Sequence, residues 1–219
     1  MSLTITNMFI YGWYSHNYYG RLGYSFDITA CFEKGMTLIK GPLSGNGWPT
    51  SYSLCSGIKG KTLTYECIRY DDSIMNLKQL QKITYYVGNE DRYLLKRYFG
   101  RTVRQRLKKA LKHSAFTLSD ITEIFHLQET YLDRKISSLS HNAWLYSPAV
   151  AFASGKKILC FPWLTVNELS TQSWRFNLLS EIADKYGLTL IIPVEDDAIM
   201  AQEGLKYHAM DEKDLIALL

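Results

Sequence analysis

Three short apolar runs, Met36 to Lys40, Lys157 to Phe161 and Leu188 to Val194, punctuate the chain, and helical periodicity lies between them. Strands separated by helix-length connections pair in parallel, so this alternation predicts an α/β fold with a mostly parallel sheet. The first 35 residues behave differently. Aromatic and polar positions alternate up to Tyr24-Ser-Phe-Asp-Ile-Thr-Ala-Cys-Phe32, and Glu33-Lys34-Gly35 follows as a turn, which predicts an antiparallel meander of half-buried strands. Lys61 to Tyr70 reads as another strand and Ile83 to Val87 as a compact buried one. From Asn89 to Leu139 the period becomes helical, with Leu107, Leu111, Ile121, Ile124, Phe125, Leu127 and Leu132 on the apolar face. Another helix is expected before Lys157, shortened or kinked if Pro148 lies beyond its first turn, and an amphipathic one from about Thr171 to Tyr186.

A chain of 219 residues with 47% hydrophobic content builds a core without staples, which excludes disordered, collagenous and disulfide-scaffold classes. Cys31, Cys55, Cys67 and Cys160 show no paired spacing, so reduced thiols in a cytosol are expected. No apolar run reaches the roughly 20 residues that span a bilayer, so any membrane association is expected through a partner. The net charge of +4 conceals a cluster: residues 92–112 carry nine Lys or Arg and no acid, leaving −5 for the rest. That stretch reads as a solvated helix face, a contact for anionic lipid head groups or, least favoured, a nucleic-acid contact.

Between the strand at Met36 and the helical spacing of Tyr52, Leu54, Cys55 and Ile58 stands Gly41-Pro-Leu-Ser-Gly-Asn-Gly-Trp-Pro-Thr50. Strand, glycine-rich loop and helix is the context in which backbone N–H groups and a helix N-terminus converge on phosphate. Gly45-Asn-Gly-Trp-Pro-Thr50 lies where G-S-G-K-S-T would complete such a loop, so Trp48 replaces the lysine and Pro49 the hydroxyl residue on Mg²⁺.

With its other landmarks in order, the chain resembles the nucleotide-binding domain of ATP-binding cassette (ABC) transporters over roughly residues 10 to 200. Tyr18-Tyr19-Gly20 stands where that family stacks an aromatic on adenine, and Asn89 where a glutamine follows the next strand. Asp133 to Ala143, containing Leu139-Ser-His-Asn-Ala143, resembles the approach to the L-S-G-G-Q signature. Lys157-Ile-Leu-Cys-Phe-Pro-Trp-Leu-Thr165 is similar to the strand ending in D-E-P-T, and Glu168-Leu-Ser170 to the L-D turn after it. Counting without gaps from Leu139 puts Trp163 and Leu164 on the carboxylate pair, and matching the apolar strand puts Pro162 and Trp163 there. Glu195 falls on the switch histidine.

The resemblance implies a P-loop NTPase-like fold with a cassette core over residues 1–88 and 141–219 and a helical subdomain over 89–140. It also implies weak nucleotide contacts at Tyr19, Gly45, Gly47, Thr50, Asn89 and Ser140. No Lys or Arg lies between Gly41 and Ile58, and no Asp or Glu from Arg134 to Asn167, so the charges that neutralise phosphates and polarise water are replaced. Each such loss commonly costs on the order of 10² to 10³ in rate. The expectation is a pseudo-ATPase with no catalytic residue, no metal site and no bound cofactor, residual ATP or ADP binding being left open and Mg²⁺ not expected. His141 places an imidazole where bare glycine backbone should approach a partner's phosphate. The expected role is a cytoplasmic, peripherally membrane-bound subunit that contacts a permease and pairs with itself or with an active ABC ATPase, Trp48, Trp163 and the aromatic N-terminus replacing nucleotide contacts by apolar burial at the dimer face. The alternatives are a regulator that binds nucleotide without hydrolysis, and an enzyme re-using His141, Glu195 and Cys160.

Overall fold

The computed structural model of the chain describes residues 2–16, 20–56, 64–87, 100–196, 204 and 206–215. Strands β1 (Ser2–His16) and β2 (Gly20–Glu33) form one long antiparallel pair instead of a meander of short strands. With β4 (Cys67–Tyr70) and β5 (Ser73–Ile74) they make a four-stranded antiparallel sheet in the order β2-β1-β4-β5. The second sheet takes β3 (Gly35–Lys40), β6 (Thr84–Tyr86), β7 (Ile158–Cys160), β8 (Thr189–Val194) and β9 (His208–Asp211) in the order β6-β7-β8-β3-β9. All its pairings are parallel. The α/β class, with an antiparallel N-terminal part and a parallel sheet, is as the sequence predicts.

Alternation along the parallel strands assigns each side chain to one of two cores. Leu38, Leu159, Leu190 and Ile192 join the helical side, whereas Ile39, Ile158, Cys160 and Ile191 face Leu3, Ile5, Ile10 and Phe32 of the antiparallel sheet. On the helical side pack α3 (Val103–Ala110), α4 (Leu118–Ile124), the single turn α5 (Glu129–Leu132), α6 (Ala143–Ala153) and α7 (Val166–Tyr186). Val103, Leu107, Ile121, Phe125 and Leu132 share one apolar cluster with the sheet. The other side receives α1 (Gly47–Ser56) through Leu54, and next to it stands α2 (Leu77–Ile83).

Among the described residues four helices start on a capping box, in which the cap side chain accepts the N3 amide and the N3 side chain accepts the cap amide. The pairs are Asn76 with Gln79, Thr102 with Gln105, Thr117 with Asp120, and Thr165 with Glu168. The last pair starts α7 five residues before the periodicity alone suggests, and Gly187 at φ +66° ends it in a left-handed cap. Helix α6 passes through Pro148 without breaking. Leu145 to Ala153 are all buried, so packing holds the turn where the proline removes a hydrogen bond.

Thr165→Ala is expected to cost about 1 kcal/mol through loss of the α7 cap, and Thr165→Asn to retain most of it. Denaturant midpoints at unchanged m-value check this.

Candidate functional site

The parallel ladder continues one residue past β3, because the Gly41 N–H donates to the Val194 carbonyl at 3.0 Å. The chain then turns tightly, the Gly45 N–H closing on the Pro42 carbonyl at 2.9 Å. Helix α1 starts at Gly47, and the Thr50 N–H and Oγ1 both donate to the Asn46 carbonyl, at 3.1 and 2.7 Å. Gly45, Gly47 and Thr50 thus lie on one strand–loop–helix turn, and the Thr50 hydroxyl is buried and engaged with its own helix. A Cβ on Gly47 would stand 3.0 Å from Ile39 Cγ2 and 3.4 Å from Pro193 Cβ, so the helix start is pressed against β3 and β8.

Two indoles fix this loop from inside. Trp48, 2% exposed, donates through Nε1 to Tyr86 Oη of β6 at 2.7 Å. Trp163, 8% exposed, donates through Nε1 to the Gly41 carbonyl at 2.9 Å. Both pack in one cluster with Tyr24, Leu43 and Tyr52. The Ser51 hydroxyl donates to the Phe161 carbonyl at 2.5 Å, tying α1 to the end of β7. Where the family resemblance expects a lysine and paired carboxylates, the chain places buried aromatic rings. This corrects one sequence expectation: Trp48 and Trp163 are enclosed within the chain and are not available as apolar cover for a dimer face.

What does reach the loop is a residue that the sequence reading missed. Strand β9 runs beside β3, from Thr37 opposite His208 to Lys40 opposite Asp211, and ends in the 3₁₀ turn Glu212–Leu215. That turn sets Glu212 against the loop, where its Oε2 accepts the Asn46 N–H at 2.9 Å. A Cβ on Gly45 would lie 1.6 Å from the same oxygen, and one on Gly41 2.4 Å from it, so only glycines admit the carboxylate. Burial pushes the Glu212 carboxyl above its ordinary value, the Asn46 N–H bond pulls it down, Asp211 raises it and Lys213 lowers it, for a net upward shift. In the sequence Glu212 is one member of a short acidic run, with nothing to show that a strand delivers it there.

The remaining candidates are spread over other elements. Ser140 is exposed, with φ +48°, on the 3₁₀ turn Ser140–Asn142 that leads into α6, beside exposed His141. Tyr18, Tyr19 and Asn89 lie outside the described residues. Glu195 stands at the N-terminus of α7, where its Oε2 accepts the Val166 N–H at 3.1 Å and its own N–H donates to Leu164 O at 2.9 Å. It therefore complements a helix dipole. Cys160 is fully buried, and burial drives its thiol well above the ordinary range, away from nucleophilic chemistry. His141, Glu195 and Cys160 thus occupy separate elements, one of them closed to solvent.

Of the basic stretch, the described part divides by function. Arg104 bonds to Asp133 at 2.8 Å and Glu129 at 2.5 Å, raising its own pKa and holding the Asp133 carboxyl low. Arg101, Lys108, Lys109 and Lys112 are exposed.

No protein-family model matches the chain, and no curated protein matches it by sequence. Solved structures do. A nucleotide-free ATP-binding cassette from an ABC transporter superposes at TM-score 0.62 and 15% identity, covering 99% of this chain and 90% of its own. A bacterial ABC transporter cassette solved as a dimer gives 0.59 and 15%, over 97% and 96%. The protein cbiO1 of Clostridium perfringens, part of the ABC transporter complex cbiONQ, gives 0.57 and 19%, over 98% and 86%. The fold is therefore that of the ABC ATP-binding cassettes.

Trp163→Phe removes the donor to the Gly41 carbonyl and is expected to cost about 1 to 2 kcal/mol, with faster amide exchange in residues 41–46. Because the folded-state pKa of Glu212 is raised, its ionisation opposes folding. That opposition is absent at low pH, where Glu212 is protonated in both states, and grows as pH rises through the unfolded and then the folded pKa. Glu212→Gln is thus expected to gain stability over the wild type between about pH 4 and 7 and to gain nothing below, as read by chemical denaturation at each pH.

Proposed function

We propose that the chain is a non-catalytic ABC-cassette subunit, a pseudo-ATPase that serves a membrane transport complex as a structural platform. One observation carries the reading: on a cassette fold, the loop that should cradle phosphate has buried indoles behind it and a carboxylate in front of it. ATP hydrolysis needs positive charge on the phosphates, and a glutamate at that position repels them. Glu195, the counterpart of the switch histidine, is engaged with α7.

One solved neighbour is a dimer and another is part of a transporter complex, which supports pairing with a second cassette and contact with a permease. The exposed cations Arg101, Lys108, Lys109 and Lys112 suit an acidic permease loop or the inner leaflet. Among the described residues no helix is long and apolar enough to cross a membrane. A nucleotide-binding regulator is the second reading. It draws on the Asn46 amide, which already receives an anionic oxygen.

Co-expression with an intact ABC ATPase and a permease is expected to yield one complex that retains this chain, and the isolated chain is expected to hydrolyse Mg·ATP no faster than buffer. Steady turnover on the order of 1 per second, within the range of ordinary enzymes, removes the pseudo-ATPase reading. Loss of the chain from the complex removes the subunit reading.

A further inference from the structure

We infer that Glu212 is an internal substitute for phosphate, so that the Gly41–Gly47 loop carries its own anionic occupant and the segment 206–215 is an autoinhibitory strap. The inference rests on reading that loop as a phosphate loop and is independent of any permease or second cassette.

Several observations converge on this contact. In the loop the Gly41 N–H is bonded to Val194 O and the Gly45 N–H to Pro42 O, and in the first turn of α1 the Thr50 N–H is bonded to Asn46 O. The Asn46 N–H, one residue before α1, is directed to Glu212 Oε2 at 2.9 Å. An amide at that position is where a phosphate oxygen would be received, since the N-terminus of a helix favours negative charge. The carboxylate lies so near Gly41 and Gly45 that a Cβ on either would displace it, and this closeness is what the glycines of a phosphate loop provide for pyrophosphate.

The strap is positioned by strand pairing. Four register pairs hold β9 on the free edge of β3, and the turn is pinned where the Asp211 N–H donates to Asp214 Oδ2 at 3.1 Å and the Lys213 N–H to Asp211 Oδ1 at 3.0 Å. Leu215 is fully buried in the core between the two sheets. On the other side β9 is an edge strand, and its residues are largely exposed. Among the described residues this exposed edge strand of four residues is the kind of element that opens locally, while buried Leu215 keeps the end of the segment anchored in the core. A phosphate entering the loop would meet the carboxylate, and both cannot take the same N–H. The strap therefore gates the loop by charge as well as by volume.

The test is equilibrium binding of inorganic tripolyphosphate to the full-length chain, with tryptophan fluorescence as readout, for wild type, Glu212→Ala, Glu212→Gln and Lys213→Ala. Tripolyphosphate needs neither adenine recognition nor a partner, so its outcome is separate from that of co-purification or hydrolysis. Glu212→Ala is expected to bind at least tenfold more tightly than wild type, and Glu212→Gln, which keeps the shape and drops the charge, several-fold more tightly. Lys213→Ala is expected to bind no more tightly than wild type. Should Glu212→Ala fail to fold, the isosteric Glu212→Gln decides alone. Equal affinity of wild type and both Glu212 variants, whether measurable or undetectable, overturns the inference, as does micromolar binding by wild type.

Discussion

The pairing of β3 with β8 positions everything else at the candidate site. Six register pairs, from Gly35 opposite Thr189 to Lys40 opposite Val194, bring the two strands to the same end of the sheet, and the bond from Gly41 N–H to Val194 O carries the ladder into the loop. Val194 also bridges Leu164, which holds the segment bearing Trp163 beside the loop. On the other side of β3, β9 brings Glu212 to the same place. Loop, indole and carboxylate therefore converge at the C-terminal edge of a parallel sheet, where open α/β folds place their ligands. A one-residue slip of β3 would exchange Leu38 with Ile39 between the two cores and disperse all three.

At that convergence the chain places packed rings where the family resemblance expects charge. A phosphate site needs cations held in a shielded cleft, and each carries a desolvation cost that the bound anion must offset. Buried indoles carry no such cost, and here each still directs its one polar atom at a partner, Tyr86 Oη for Trp48 and Gly41 O for Trp163. The loop is thereby kept in shape without a ligand. The carboxylate of Glu212 completes the arrangement by engaging the Asn46 donor, at the expense of being held partly out of water. In the proposed reading these contacts build a platform whose conformation does not depend on nucleotide.

The buried strands were legible because a strand covered on both faces reads as a continuous apolar run, and the glycine loop because its punctuation is local. Two helix starts were legible in principle but not from periodicity: Asn76 with Gln79 opens α2, which the apolar pattern leaves unmarked, and Thr165 with Glu168 opens α7. The long β1–β2 pair reads as shorter strands because alternation does not say where a strand stops. The Glu212 contact had no local signal at all. Strand β9 is four residues long and mostly exposed, and its place next to β3 comes from pairing across more than 160 residues of sequence. Likewise the family resemblance implies that Trp48 and Trp163 stand in place of charged groups, but their inward direction depends on Tyr86 and Gly41, which only the fold brings near.

The central claim is that in the wild-type chain Glu212 occupies the loop from within and so closes it to nucleotide phosphate. The most direct measurement follows the Asn46 backbone amide by ¹⁵N NMR while Mg·ATP is added to the wild-type chain. The account predicts an amide that does not respond at micromolar nucleotide and keeps the shift set by Glu212. A saturable micromolar displacement of that resonance, with release of residues 206–215, would contradict it.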